Sequence, residues 1–154
     1  MDKYETTAKY NVAETCSASI SVRDLQALCE DPASNPLDGV LDRKLTYGEI
    51  RGSNQLRSTL ANLYSVKTPT PLPSNNILVT AGAIQANFLL LYTLVGPGDH
   101  VICHYPTYQQ LYSVPESLGA EVSLWKSKEA EGWKLDLEEL KGLIRPNTKL
   151  IIIK

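Results

Sequence analysis

From Gly96 to Trp125 the chain reads GPGDHVICHYPTYQQLYSVPESLGAEVSLW, and this stretch decides the fold class. Gly96-Pro97-Gly98-Asp99 is turn chemistry, and Val101-Ile102-Cys103 is a short apolar run of the kind covered on both faces of a sheet. The spacing predicts a helix from about Gln109 to Leu118, closed by Gly119. Val122 and Leu124 then alternate with polar neighbours in a strand ending near Trp125. Parallel strands need a helical crossover, so strand, helix and strand in this order read as one βαβ unit.

The alternation extends both ways. Upstream, Ile77-Leu78-Val79-Thr80 reads as a strand, and Gly82 opens a helix through about Val95. Downstream, Asp136-Leu137-Glu138-Glu139 reads as a capping box for a helix that reaches Ile144 and is stopped by Pro146. Leu150 to Ile153 is the next strand. The fold class is therefore α/β, a three-layer αβα arrangement around a mostly parallel, doubly wound sheet. Ahead of it, Ser53 to Tyr64 places Leu56, Leu60, Leu63 and Tyr64 on one helical stripe, and Thr68 to Pro73 is an extended connector. Residues 1–45 carry little periodic signal beyond a short helix capped by Ser21. The chain divides into an amino-terminal arm, 1–45, and an α/β portion, 46–154.

Composition narrows the function classes. At 154 residues and 43% hydrophobic, the chain can bury a core and is not disordered. Lys and Arg number 15 against 17 Asp and Glu, which leaves no basic excess for nucleic acid or an anionic membrane. Cys16, Cys29 and Cys103 are far apart, so neither a zinc cage nor a disulfide framework is indicated. The polar start, Met1 to Glu5, lacks the apolar segment of a secretory signal, and no apolar run is long enough to span a bilayer. A cytoplasmic protein is expected.

In open α/β sheets ligands lie beyond the carboxyl ends of the strands. At the first such junction, Thr80-Ala81-Gly82-Ala83-Ile84, small residues admit a ligand to the backbone. The free N–H groups and dipole of the following helix suit an anion such as a phosphate. A tight turn with no ligand is the alternative, since one glycine is weaker than GxGxxG. At the second, His104 to Tyr108, Tyr108 either lies against a planar heteroaromatic ligand or is an amphipathic tyrosine at the rim. His100 and His104 stand about 13 Å apart along an extended strand with no carboxylate or cysteine to complete a set. They read as strand-end histidines, with no metal site. Cys103 reads as packing, and GxSxG is absent.

Together these segments resemble the first part of a fold-type I pyridoxal-phosphate enzyme of the class I/II aminotransferase family, from about Leu45 to Ile153. Tyr47-(x4)-Gly52-(x3)-Leu56-Arg57 is similar to the family's Tyr, Gly and Leu-Arg segment, and Val79 to Ala86 to its phosphate-cup turn. Gly96 to Val101, Pro106-Thr107-Tyr108, Gly119 to Val122 and Leu137 to Leu140 follow in the family's order. The resemblance implies pyridoxal 5'-phosphate as cofactor. Backbone N–H groups of Gly82, Ala83 and Ile84 would hold its phosphate, and Tyr108 would stack on its pyridine ring. Tyr47 would reach across a homodimer interface to the neighbouring subunit's cofactor. Arg57 would hold its helix, and Asn11-Val12-Ala13-Glu14 would lie where an entrance strand approaches the substrate carboxylate.

After its last strand here the family carries Asn-Pro-x-x-Asn-Pro-x-Gly, and Lys154 stands in the first position of that run. The family's ring-nitrogen aspartate, Schiff-base lysine and carboxylate-binding arginine lie further on, so no catalytic residue is assigned. Lys154, on a different strand, is read as an unengaged chain end and not as the Schiff-base lysine. The expectation is an amino-terminal part, truncated within the large domain, of an aminotransferase that moves an amino group between an amino acid and a 2-oxo acid. Alone it is expected to be inactive. The alternatives are a non-catalytic dimerising module and a lyase of the same fold; a Rossmann-type nucleotide domain lacks its GxGxxG. An apolar strand at Leu150 to Ile153 with an uncovered edge predicts poor solubility or a need for a partner strand.

Overall fold

The computed structural model describes residues 4, 7–10, 16–31, 33, 35, 37–40 and 42–154. The chain forms two units, Met1–Tyr47 and Gly48–Lys154. In the first, helix α1 (Val22–Ala27) begins with a capping box in which the Ser21 hydroxyl accepts from the Asp24 N–H and the Asp24 carboxylate accepts from the Ser21 N–H. Those bonds hold the Asp24 carboxyl below its ordinary range. The segment Asn11 to Glu14, expected near a substrate carboxylate, lies outside the described residues.

The second unit contains α2 (Asn54–Ser65), α3 (Ala83–Leu94), β1 (His100–Tyr105), α4 (Gln110–Ser117), β2 (Glu121–Lys126), α5 (Leu137–Leu143) and β3 (Thr148–Ile152). Its three strands are all parallel, in the order β2-β1-β3. Helix α4 carries the chain from β1 to β2 on one side, and α5 carries it back past β1 to β3 on the other. The strand order thus reverses at β1, where open α/β sheets place their ligand crevice. Being central, β1 is the most buried strand, with His100, Val101, Ile102 and Cys103 all inaccessible to solvent. Val101 packs with Leu91 of α3, with Val95 just past the end of that helix and with Ala120, and Val114, Val122, Leu150 and Ile152 close around them.

Two local expectations differ from what is observed. Ile77 to Thr80 joins no ladder among the described residues; a 3-10 turn, Ser74–Asn76, precedes it, and the Val79 N–H donates to the Arg51 carbonyl at 3.0 Å. An apolar run becomes a strand only when a partner presents a matching row of backbone groups, and here the partner is a single loop carbonyl. At α5 the Asp136 side chain accepts from the Glu138 N–H rather than from the residue after it, while the Glu139 carboxylate lies 4.0 Å from Lys128 Nζ. The cap is present without the reciprocal bond.

Gly52 joins α2 to this body. Its φ of 90° is costly for an L side chain, and a Cβ there would stand 2.7 Å from the Val79 side chain. The Gly52 carbonyl accepts from Arg57 Nε at 3.0 Å, and Arg57 Nη1 donates to the Ser74 carbonyl at 3.1 Å. Buried Arg57 thus clamps the start of α2 to the connector ahead of α3.

Candidate functional site

The carboxyl end of the sheet is lined by the start of α3, the turn after β1, and the residues that follow β2 and β3. Helix α3 starts at Gly82, whose φ of 90° and ψ of 164° swing the chain into the helix, and no side chain caps it. The nearby polar groups are engaged elsewhere. The Thr80 hydroxyl donates to the Gly82 carbonyl at 3.0 Å, and Gln85 Oε1 accepts from the Ala81 N–H at 2.9 Å. The first-turn N–H groups of Ala83 and Ile84 are left without a side-chain partner, and both residues are exposed. Nothing lies within 4 Å of the place a Cβ on Gly82 would take, so the approach to these donors is open. Uncapped donors at the positive end of a 12-residue helix give this cradle a chemistry suited to an anion.

Gln110 ties this cradle to the turn after β1. Its Nε2 donates to the Ile84 carbonyl at 2.7 Å, and its Oε1 accepts from Asn87 Nδ2 at 3.3 Å. Tyr108, two residues earlier, therefore stands at the same end of the sheet as the start of α3. Tyr108 as a residue is 43% exposed. Between Pro106 and Tyr108, Thr107 Oγ1 is buried and has no hydrogen-bond partner. A buried hydroxyl left unpaired costs about 1–3 kcal/mol, so its position beside the exposed ring marks a place where a polar group would be welcome.

The two histidines are fully engaged. His100 Nδ1 lies 2.7 Å from Thr148 Oγ1, and Nε2 lies 2.9 Å from Ser123 Oγ. The Thr148 hydroxyl oxygen also accepts from the Arg145 N–H at 2.7 Å, and each ring nitrogen of His100 faces a hydroxyl that can either donate or accept. Burial holds the His100 pKa below the ordinary imidazole value. His104 Nδ1 is 3.0 Å from the Lys154 carbonyl and must donate to it, since a carbonyl only accepts; Nε2 is 3.3 Å from Ser127 Oγ. Among the described residues no group of three metal-ligating side chains comes together. Cys103 is buried in β1, and desolvation pushes its thiol up to about 11, which keeps it protonated and unreactive.

Of the residues singled out from the sequence, Gly82, Ala83, Ile84 and Tyr108 gather at one end of the sheet. Tyr47 belongs to the other unit, where its side chain is fully exposed. Lys154 departs from the expectation of an unengaged end. Its carbonyl accepts from His104, and its ammonium stands 5.4 Å from the Tyr108 ring centroid. The residues missed from the sequence are Gln110 and Ser127, together with the partners of His104, which was read only as a strand-end histidine. Their partners lie more than twenty residues away, a distance no local spacing reveals.

Comparison with known proteins gives a consistent answer. A family model described as aminotransferase class I and II matches residues 40–154. The chain is 31% identical over 125 residues to an aspartate aminotransferase of Sulfolobus acidocaldarius, covering 80% of this chain and 30% of that enzyme. It is 30% identical over 107 residues to human tyrosine aminotransferase, covering 70% of this chain and 23% of that enzyme. Among solved structures, a PLP-dependent aminotransferase from Streptococcus suis superposes with a TM-score of 0.76 at 47% identity, covering 87% of this chain and 34% of that one. The chain spans about a third or less of the length of these relatives. No helix among the described residues is long and apolar enough to cross a membrane.

Proposed function

We propose a function from one premise: this chain belongs to the class I and II aminotransferase family. It forms the phosphate-binding and ring-stacking part of a pyridoxal-phosphate-dependent aminotransferase, whose reaction moves an amino group between an amino acid and a 2-oxo acid. The observation that carries this reading is the uncapped start of α3 at the carboxyl end of a sheet whose order reverses beside it. The family is dependent on pyridoxal phosphate in general. The residues present fit that group: two free N–H donors for a phosphate, a half-exposed aromatic ring for a pyridine, and an orphaned hydroxyl at Thr107.

In this reading the backbone N–H groups of Ala83 and Ile84 bind the phosphate, where the helix dipole adds about 0.3–1 kcal/mol, while the Gly82 N–H donates to the Thr80 carbonyl at 2.8 Å and Gly82 serves by leaving the approach open. Tyr108 orients the ring and keeps water from one of its faces. The bound cofactor supplies the electron-withdrawing ring that eases removal of the proton next to the amino group. No residue assigned here moves that proton, so binding without transamination is proposed for this chain alone. A cytoplasmic homodimer is part of the same reading, with the exposed Tyr47 available to a second subunit.

Ala83→Pro tests the cradle. Ala83 is the first helical residue and its N–H serves no helical bond. Proline is favoured there, and Gly82 already has the extended ψ of 164° that a residue before proline requires. The helix should remain while one donor is lost. Trp fluorescence titration should show pyridoxal phosphate binding at least about 10-fold tighter than pyridoxal, and Ala83→Pro should erase most of that difference. Equal affinities for the two ligands in the unsubstituted chain would refute the reading.

A further inference from the structure

One charged side chain stands at this end of the sheet outside the proposed cradle, the lysine two residues beyond β3. We propose that Lys154 is an anion-binding residue of this site, its ammonium held at the face of Tyr108 by the bond from His104. The inference rests on the cofactor reading above and deepens it: the ligand's negative charge would meet a side-chain cation as well as the helix start.

Three observations combine. First, the backbone of Lys154 is pinned, because His104 Nδ1 donates to its carbonyl at 3.0 Å. That bond extends the link between β1 and β3 beyond the last ladder pair, Cys103 with Ile152. His104 is itself braced from the other side. Its Nε2 meets Ser127 Oγ at 3.3 Å, and the Ser127 N–H donates to the Tyr105 carbonyl at 2.8 Å. One imidazole in the central strand thus sets the carboxyl ends of both neighbours. Second, the ammonium lies 5.4 Å from the Tyr108 centroid, within cation–π reach. Third, no Asp or Glu carboxylate lies within salt-bridge distance of the Lys154 ammonium among the described residues, a state it shares with Lys126 and Lys134. A lysine placed by its backbone, resting on an aromatic face and without an Asp or Glu partner, is prepared to meet an anion brought against that ring.

The ligand class follows from the chemistry: a planar aromatic compound carrying phosphate or another anionic substituent. A neutral ring would gain from Tyr108 but not from Lys154. His104 acts as a positioning residue, through the lysine, and touches no ligand.

The placement can be read without ligand. In a proton NMR spectrum the Lys154 side-chain methylenes should be shifted upfield by the Tyr108 ring, and Tyr108→Leu should abolish the shift. His104→Ala should abolish it too, and His104→Asn, which can keep a donor near the position of Nδ1, should restore part of it. Binding is then titrated with pyridoxal phosphate and with pyridoxal. Lys154→Met should weaken pyridoxal phosphate about 3- to 10-fold, leave pyridoxal within about 2-fold, and flatten the salt dependence; Lys154→Arg should recover most of the loss. Unshifted methylenes in the unsubstituted chain would overturn the inference. So would a Lys154→Met protein that binds pyridoxal phosphate as tightly as before, or more tightly. If Ala83→Pro still reduces the phosphate preference in that case, the cradle stands and the role of Lys154 alone falls.

Discussion

Gly52 shows how one residue can carry a whole junction. It supplies a positive φ, a surface flat enough for Val79 to lie against, and a carbonyl for Arg57. Gly52→Ala forces both a left-handed L residue and a Cβ at 2.7 Å from a buried-side neighbour, so a loss of roughly 2–4 kcal/mol in urea unfolding is expected. A loss below about 0.5 kcal/mol would mean that the α2 junction yields freely. His100 makes a prediction of a different kind. Its folded pKa lies below the unfolded value of 6.5, so the unfolded chain binds more protons between the two values. Its contribution is therefore complete above about pH 6.5 and is lost as pH falls toward the folded pKa. Asp99, held below 3.8 by the Gly96 N–H and by Lys149, contributes stability that is complete above about pH 3.8 and is lost only as pH falls below that value, so the two windows separate. Thermal melts should show Tm falling below about pH 6.5, and His100→Gln should remove that slope while leaving the fall at lower pH.

At the level of elements, legibility followed the range of the forces involved. Helices α2, α3 and α4 and the flanking turns could be read because periodicity, glycine and proline act within a few residues. Ser53 illustrates this: its hydroxyl accepts from the Leu56 N–H at 3.2 Å, and Ser53→Ala should cost about 1 kcal/mol, measured by chemical denaturation. No change on that substitution would show that α2 is held by Arg57 alone. The start of α3 was equally legible, because a glycine after a short apolar run followed by small residues is itself the geometry of an uncapped helix end. The parts that escaped are those made by distant partners. Residues 77–80 have the composition of a strand, but pairing depends on which backbone arrives beside them. Lys154 offered nothing locally beyond a charge after three isoleucines, and its place on Tyr108 comes from a histidine fifty residues earlier. The stitching of α3 to α4 by Gln110 was hidden for the same reason. Fold class is written in patterns, whereas the second half of the site is written in contacts.

Taken as a whole, the Gly48–Lys154 unit has apolar surface and backbone in excess of what it covers. β1 is flanked on both sides, so β2 and β3 are both outer strands of the described sheet. On β3, Ile151 is 44% exposed. On α3 only Leu91 is buried, and Ile84, Phe88 and Tyr92 face solvent, with the rings of Phe88 and Tyr92 stacked 5.7 Å apart. A helix apolar all round is normally covered, and an open apolar strand edge is a template for another chain. Self-association that rises with concentration is therefore expected, visible by size exclusion with light scattering. Ile151→Lys should suppress it: a lysine on an edge strand adds a charge that opposes stacking, and the exposed position costs the core little. Circular dichroism should remain unchanged, since the neighbouring Leu150 and Ile152, not Ile151, pack on the central cluster. A monodisperse monomer at every concentration would sink the prediction. Association that persists in Ile151→Lys but vanishes in Phe88→Lys would instead assign the contact to α3, the other uncovered apolar element.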